Sequence, residues 1–157
     1  MEPDPTASLE SLVDTLAPNS RVLGLDLGSK RIGLALSDVS RTVATPMKTL
    51  KRAKFAQNAK ELLDIAEEHE IGAFIIGLPI NLDGSEGPAA QSARAFVRNL
   101  AAKTDIPIAL WDERLSTAAV ERTLLDADTS RKRRAEVIDK MAAAYILQGA
   151  LDRLNTI

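Results

Sequence analysis

The sequence predicts an α/β domain with a mixed sheet covered by helices. Three observations predict it. Two apolar strand-like runs near the start are joined by a short glycine turn. Helical and strand-like patterns then alternate. A long helical segment closes the chain. Strands in succession followed by α/β units make a mixed sheet with helices packed on it.

Each element follows from the residues in order. The first twenty residues hold Pro3, Pro5 and Pro18, with Leu9, Leu12, Val13 and Leu16 at helical spacing between them. They read as an appendage, 1–20, with a short docked helix, and the domain proper spans 21–157. Val22 to Leu27 reads as a buried strand, Gly28-Ser29-Lys30 as a turn, and Ile32 to Ser37 as the returning strand. Val43 to Leu50 makes a third strand, placed at a sheet edge by Pro46. Phe55 to Glu68 is helical, with Leu62, Leu63, Ile65 and Ala66 on its apolar side. Ala73 to Leu78 is a strand and Pro79 to Gly87 a polar loop. Pro88 opens a helix that runs to about Ala102, since proline in the first turn sacrifices no needed donor. Ile106 to Trp111 is a fifth strand. Ser116 or Thr117 can cap a helix running to about Leu125, and a last helix spans about Arg131 to Leu154.

Composition narrows the function classes. At 157 residues the chain fits one domain, with a core built from aliphatic residues because there are only one Trp, one Tyr and three Phe. The absence of cysteine excludes disulfides and thiolate metal sites. No apolar run approaches the roughly 20 residues of a membrane span. The acidic start, Met1-Glu2-Pro3-Asp4, lacks the basic-then-apolar order of a secretory signal, so the expected address is the cytoplasm. A net charge of -2 argues against coating nucleic acid through a uniform positive field. Two local basic runs remain: Lys48, Lys51, Arg52 and Lys54, and Arg131, Lys132, Arg133 and Arg134. A charge run is more often a solvated face than a binding surface.

Three carboxylates sit where carboxylates are costly. Asp26 lies inside the apolar run Val22-Leu23-Gly24-Leu25-Asp26-Leu27. A buried carboxylate needs a partner, backbone donors or a metal. Asp112 and Glu113 stand at the carboxyl end of a strand, where ligand sites collect. Side chains alternate along a strand, so only one of the two faces a given site. The plainer reading of that pair is an ion pair with Arg114 and charge near a helix start. Asp139 shares a helix face with Ala142, Ala143 and Ile146, small and apolar neighbours that let a helix lie close to a sheet. Its plainer reading is an exposed aspartate paired with Lys140 or Arg133.

Two acids on neighbouring strands and one on a packed helix can converge. Carboxylates 4 Å apart repel by up to about 4 kcal/mol per pair near a protein surface. A divalent cation removes that penalty, and oxygen-only ligands select hard ions, Mg²⁺ or Mn²⁺. The lone His69 falls near the end of the first long helix and reads as structural or solvated.

Four segments carry a family resemblance: Gly24-Leu25-Asp26-Leu27-Gly28-Ser29-Lys30-Arg31-Ile32-Gly33, Gly77-Leu78-Pro79-Ile80-Asn81-Leu82-Asp83-Gly84, Asp112-Glu113-Arg114-Leu115-Ser116-Thr117, and Ile138-Asp139-Lys140-Met141-Ala142-Ala143. They resemble the signature segments of the YqgF family, related to Holliday-junction resolvases, from Arg21 to Leu154. The resemblance implies a ribonuclease H-like fold with a mixed five-stranded sheet flanked by helices. It implies a metal-dependent nuclease that matures the 5′ end of pre-16S rRNA, acting on RNA or a precursor ribosomal particle, as a monomer or homodimer. It assigns Asp26, Glu113 and Asp139 as catalytic and metal-binding. Asp112 keeps no assigned role. Strand-end placement makes Lys30, Arg31, Asn81 and Ser85 candidates for nucleic-acid contact; Arg114, and Arg131 and Arg133 of the second basic run, are candidates beside them. For Asn81 an equal reading is a turn residue bonding its own backbone. Resolvase relatives carry a further Asp three residues after the helical one; here that position is Ala142. This departure weighs against four-way DNA junctions as substrate more than against nuclease activity.

Two other functions fit parts of the pattern. A non-catalytic RNA- or partner-binding module on the same fold would not need three acids. An actin-like phosphotransferase shares the Asp-Leu-Gly-Ser turn, but it needs a second lobe and a second glycine-rich segment.

Overall fold

The computed structural model describes residues 5–115 and 131–157, and the side chains of 131–139 lie outside that description. Among the described residues the order is α1 (Leu9–Thr15), β1 (Arg21–Leu27), β2 (Arg31–Ser37), β3 (Ala44–Lys51), α2 (Phe55–Glu68), β4 (Ile71–Leu78), α3 (Pro88–Ala101), β5 (Ile108–Asp112), a 3-10 turn (Glu113–Leu115) and α4 (Arg131–Leu154). The expected helix from Ser116 or Thr117 lies outside the described residues. No helix among those described is long and apolar enough to cross a membrane.

The five strands form one sheet in the order β3-β2-β1-β4-β5. The meander β1-β2-β3 is antiparallel, while β4 and β5 run parallel to β1. This is the expected mixed sheet, with β1 at its centre and β3, the strand with Pro46, at an edge. Register sorts the side chains. Leu23, Leu25, Ile32, Leu34, Phe74, Ile76 and Ile108 pack on one face beneath α2 and α3. Val22, Ala35, Ala73, Ile75, Ala109 and Trp111 pack on the other, beneath α4. Burying each Leu, Ile or Phe contributes about 1.5–3 kcal/mol.

α4 lies unusually close to the sheet because two strand glycines leave room. A Cβ on Gly24 would stand 2.7 Å from Leu147 Cβ and 3.2 Å from the Ala143 carbonyl oxygen. A Cβ on Gly77 would stand 2.5 Å from Ile146 Cδ1. The carboxyl end of α4 is tied to the β2–β3 hairpin. Gln148 accepts from the Ala44 N–H at 2.8 Å and donates to the Thr42 carbonyl at 2.9 Å, and Asn155 donates to the Arg41 carbonyl at 2.9 Å. That hairpin sits at the amino end of β1, where Ser37 Oγ accepts from the Val22 N–H at 2.8 Å. The helix therefore runs antiparallel to β1. Its amino-terminal half approaches the end of β1 that carries Asp26.

Candidate metal centre

Asp26 is the last residue but one of β1 and only 6% exposed. Its neighbour Leu25 points into the core beneath α2 and α3, so alternation turns Asp26 to the α4 face. Parallel pairing of Leu25 with Ile76 brings Asp26 level with Gly77 on β4. Gly77 in turn pairs with Trp111 on β5.

Glu113 reaches the same face. A Cβ on Gly77 would lie 3.1 Å from Glu113 Cγ and 3.2 Å from its Cδ, so the glutamate stem extends across β4 above Gly77. This corrects one expectation. Asp26 and Glu113 do not stand on neighbouring strands, because β4 lies between β1 and β5. The gap is crossed because β4 presents a glycine there, which removes the side chain that would separate them.

Residue 139 lies one helical turn before Ala143 on the stripe that continues through Ile146 and Ala150, all three fully buried. Ala143 already sits over Gly24. One further turn of about 5.4 Å along an antiparallel helix places residue 139 at the Asp26 end of the sheet. Ala142, where resolvase relatives carry an additional acid, is buried at 1% exposure.

Asp112 and Glu113 diverge as alternation requires. Asp112 pairs with Leu78, whose side chain packs beside α3. Arg114 donates to the Asp112 carboxylate through Nε at 3.1 Å to each oxygen and through Nη2 at 2.7 Å. That hydrogen bonding lowers the Asp112 pKa and raises that of Arg114. The ion pair is thus present, and it belongs to Asp112 while Glu113 turns the other way.

The loop 79–87 follows β4 at the same end of the sheet. Asn81 N–H donates to the Ser85 carbonyl at 2.9 Å, its Nδ2 to Ser85 Oγ at 3.0 Å, and its own carbonyl accepts from Gly84 at 2.8 Å. Asp83 Oδ1 accepts from Ser85 N–H at 2.9 Å and from its hydroxyl at 2.6 Å, which lowers the Asp83 pKa. Asn81 and Ser85 hold the loop's shape, and Gly84 turns it at φ +90°.

The turn after β1 gathers cations. Lys30 is exposed, and Arg31 opens β2 opposite Lys51. Ile32 and Leu50 point into the core beneath α2 and α3, so Arg31 and Lys51 face the α4 side, as Asp26 does. Arg52 departs from the first basic run. Its Nη1 donates to the Gly28 carbonyl at 2.9 Å and its guanidinium lies 5.5 Å from the Phe96 ring centroid. The side chains of Arg131 and Arg133 lie outside the described residues. His69 caps α2.

Two features escaped sequence reading. Gly77 is the empty position that lets Glu113 across; its signal was the Gly-Leu-Pro segment, read for family resemblance and for the loop after it. Asn58, 1% exposed, ties α2 to the end of β3 by accepting from Ala53 N–H at 2.9 Å and donating to the Lys51 carbonyl at 3.1 Å. Its position in an apolar helix face was the available signal.

The donor chemistry fits a hard divalent cation. Asp26 and Glu113 bring only oxygens to one face beneath a closely packed helix, beside exposed cations suited to phosphates. Among the described residues no group of three or more acids or histidines forms a metal site, and the Asp139 side chain is outside them.

The fold is that of a ribonuclease H-like domain. A RuvC from Thermus thermophilus bound to a Holliday junction aligns over 87% of this chain and 97% of its own at a TM-score of 0.55 and 13% identity, a likeness of fold. The chain belongs to the RuvX family, described as Holliday junction resolvase, which matches residues 20–153; it is the YqgF family of the sequence resemblance. A protein of Paramagnetospirillum magneticum is 61% identical over 94% of this chain and 96% of its own length. One of Rhizobium meliloti is 57% identical over 96% and 91%. Both are named "Putative pre-16S rRNA nuclease".

Proposed function

We propose that this protein is a cytoplasmic, metal-dependent phosphodiester hydrolase that trims the 5′ end of pre-16S rRNA during ribosome biogenesis. The observation that carries the reading is the placement of Asp26 and Glu113 on one face of the sheet, with Gly77 cleared between them. Curated relatives at about 60% identity, with their printed name, support the substrate.

Asp26, Glu113 and Asp139 would hold Mg²⁺ or Mn²⁺. When bound, such an ion supplies an activated water and charge stabilisation at the leaving oxygen. The chain's own groups do the remainder. Buried Asp26 sets a fixed anionic floor. Glu113 closes one side of it across β4. Lys30, Arg31 and Lys51 line the outer margin and hold backbone phosphates near the acids. Asn81 and Ser85 act through the loop they brace. Arg131 and Arg133, in the second basic run, would be further phosphate contacts. Ala142 in place of a further acid favours RNA over four-way DNA junctions.

The test offers the purified protein a 5′-labelled RNA spanning the 16S precursor junction and, separately, a four-way DNA junction, with Mn²⁺, Mg²⁺ or chelator. Metal-dependent RNA cutting at the mature 5′ end, with the junction left intact, is the expected result. Junction cleavage without RNA cleavage overturns the substrate reading.

A further inference from the structure

We infer that Asp112 and Arg114 form a positioning clamp that aims Glu113 across the sheet, and that Arg114 serves the site through this clamp rather than by gripping substrate. The inference rests on the nuclease reading above. Asp112 Oδ1 accepts from the Arg114 backbone N–H at 2.9 Å, closing a turn with Glu113 at its middle. The Arg114 guanidinium then folds back and donates from Nε and Nη2 to both oxygens of the same carboxylate. One aspartate thus fixes the backbone on both sides of Glu113, while one arginine fixes the aspartate.

The clamp has a reason to exist. β5 ends at Asp112, and Glu113 begins a 3-10 turn of only three residues. The strand ladder no longer restrains Glu113, and Leu115, two residues on, is 67% exposed. Glu113 must nonetheless cross a full strand to stand above Gly77. Arg114 also lies beside the neighbouring loop. Its Nη1 lies 3.8 Å from the position a Cβ on Gly84 would take, and the charge of Asp83 acts on it. Arginine suits this task because its planar fork matches a carboxylate at two points, which lysine cannot do.

The experiment compares Arg114→Ala, Arg114→Lys and Asp112→Asn with the unaltered protein. Cleavage of the labelled RNA gives kcat and KM, calorimetric titration without RNA gives the Mn²⁺ affinity, and thermal melts check folding. Loss of a side chain that orients a metal ligand typically costs about 10- to 100-fold in metal affinity or activity. Arg114→Ala is therefore expected to lower kcat and weaken Mn²⁺ binding by about that factor, with KM for RNA within about twofold. Arg114→Lys is expected to fail as a rescue, because it restores charge without the fork. Asp112→Asn, which keeps the turn acceptor, should fall between. A raised KM with kcat and Mn²⁺ affinity intact, or full rescue by lysine, overturns the clamp and makes Arg114 a phosphate contact. Should the unaltered protein cut no RNA, the nuclease reading fails while the Mn²⁺ titration still decides the clamp. Should Arg114→Ala not fold, Asp112→Asn decides by the same three readouts.

Discussion

Adding one methyl group at Gly77 tests the geometry of the site more sharply than removing an acid does. An alanine Cβ there would meet Ile146 Cδ1 at 2.5 Å and Glu113 Cγ and Cδ at 3.1 and 3.2 Å. Both neighbours must move. The isoleucine end is the tighter contact, and overpacking of this kind costs about 1–3 kcal/mol. For a domain of this size that lowers Tm by a few degrees, at about 2–4 °C per kcal/mol. The glutamate must give only a few tenths of an ångström to relieve contact, but its carboxylate is at the end of the lever. A misplacement near 1 Å can cost about 100-fold in rate. Gly77→Ala is therefore expected to lose about ten- to 100-fold in kcat on the labelled RNA, with a modest loss of stability by circular dichroism. Pairing it with Ile146→Val removes the clashing Cδ1, at a cost of about 0.5–1.5 kcal/mol for the lost methyl. The double variant should regain part of the stability lost to overpacking and none of the kcat, because the Glu113 contact remains. Full kcat in Gly77→Ala, or recovery of kcat together with stability in the double variant, would refute the placement of Glu113 over β4.

Three further outcomes follow from the same structure. Mn²⁺ at about a hundred times its Kd should stabilise the fold by about 2.7 kcal/mol, raising Tm by about 5–10 °C in a thermal melt, and Asp26→Asn should abolish the rise; a rise that survives in that variant removes Asp26 from the metal set. The phosphate margin predicts that Lys51→Ala lowers the slope of log affinity for single-stranded RNA against log salt by about 0.7, read by fluorescence anisotropy, and an unchanged slope excludes Lys51 from phosphate contact. Asp38 carries the acid sensitivity of the hairpin that anchors α4: hydrogen bonds from the Ser40 hydroxyl and the Val43 and Thr42 N–H groups lower its pKa from 3.8 to about 2. Because the folded pKa is the lower one, its contribution is complete above about pH 4 and disappears as pH falls through about 2. Asp38→Asn should melt earlier than the parent at pH 7, with the gap narrowing from pH 4 to pH 2, and a gap independent of pH contradicts this.

Much of the fold was legible because local pattern and tertiary environment agree. The apolar run Val22 to Leu25 is buried on both sheet faces, as its apolar character required. Pro46 lies on the edge strand, where a missing donor costs least. α2 and α4 begin and end where periodicity placed them, while β4 starts at Ile71 and β5 at Ile108, since strand ends are set by the partner across the ladder. Asp26 stood out in sequence because a carboxylate inside an aliphatic strand is costly. Alternation foretold that Asp112 and Glu113 would part company. The strand between Asp26 and Glu113 was not legible, because order across a sheet is a property of the whole chain. The worth of Gly77 followed from that order, since a missing side chain matters only for what passes over it. Arg114 carried two readings in sequence, a nucleic-acid contact and an ion pair with the neighbouring acids, and its fork is engaged by Asp112, two residues away. Which of the two acids it takes is set by local turn geometry.

The central claim is that Asp26, Glu113 and Asp139 act together as one metal-dependent centre. Single-turnover cleavage of the 16S precursor RNA by the unaltered protein, Asp26→Asn, Glu113→Gln and Asp139→Asn, at saturating Mn²⁺, measures it most directly. The account predicts that each variant folds and that each alone loses cleavage by a similar large factor, with the double variants little worse than the single ones, because residues that act as a unit are not additive. Losses that simply multiply, or full activity in any one of the three, would contradict it.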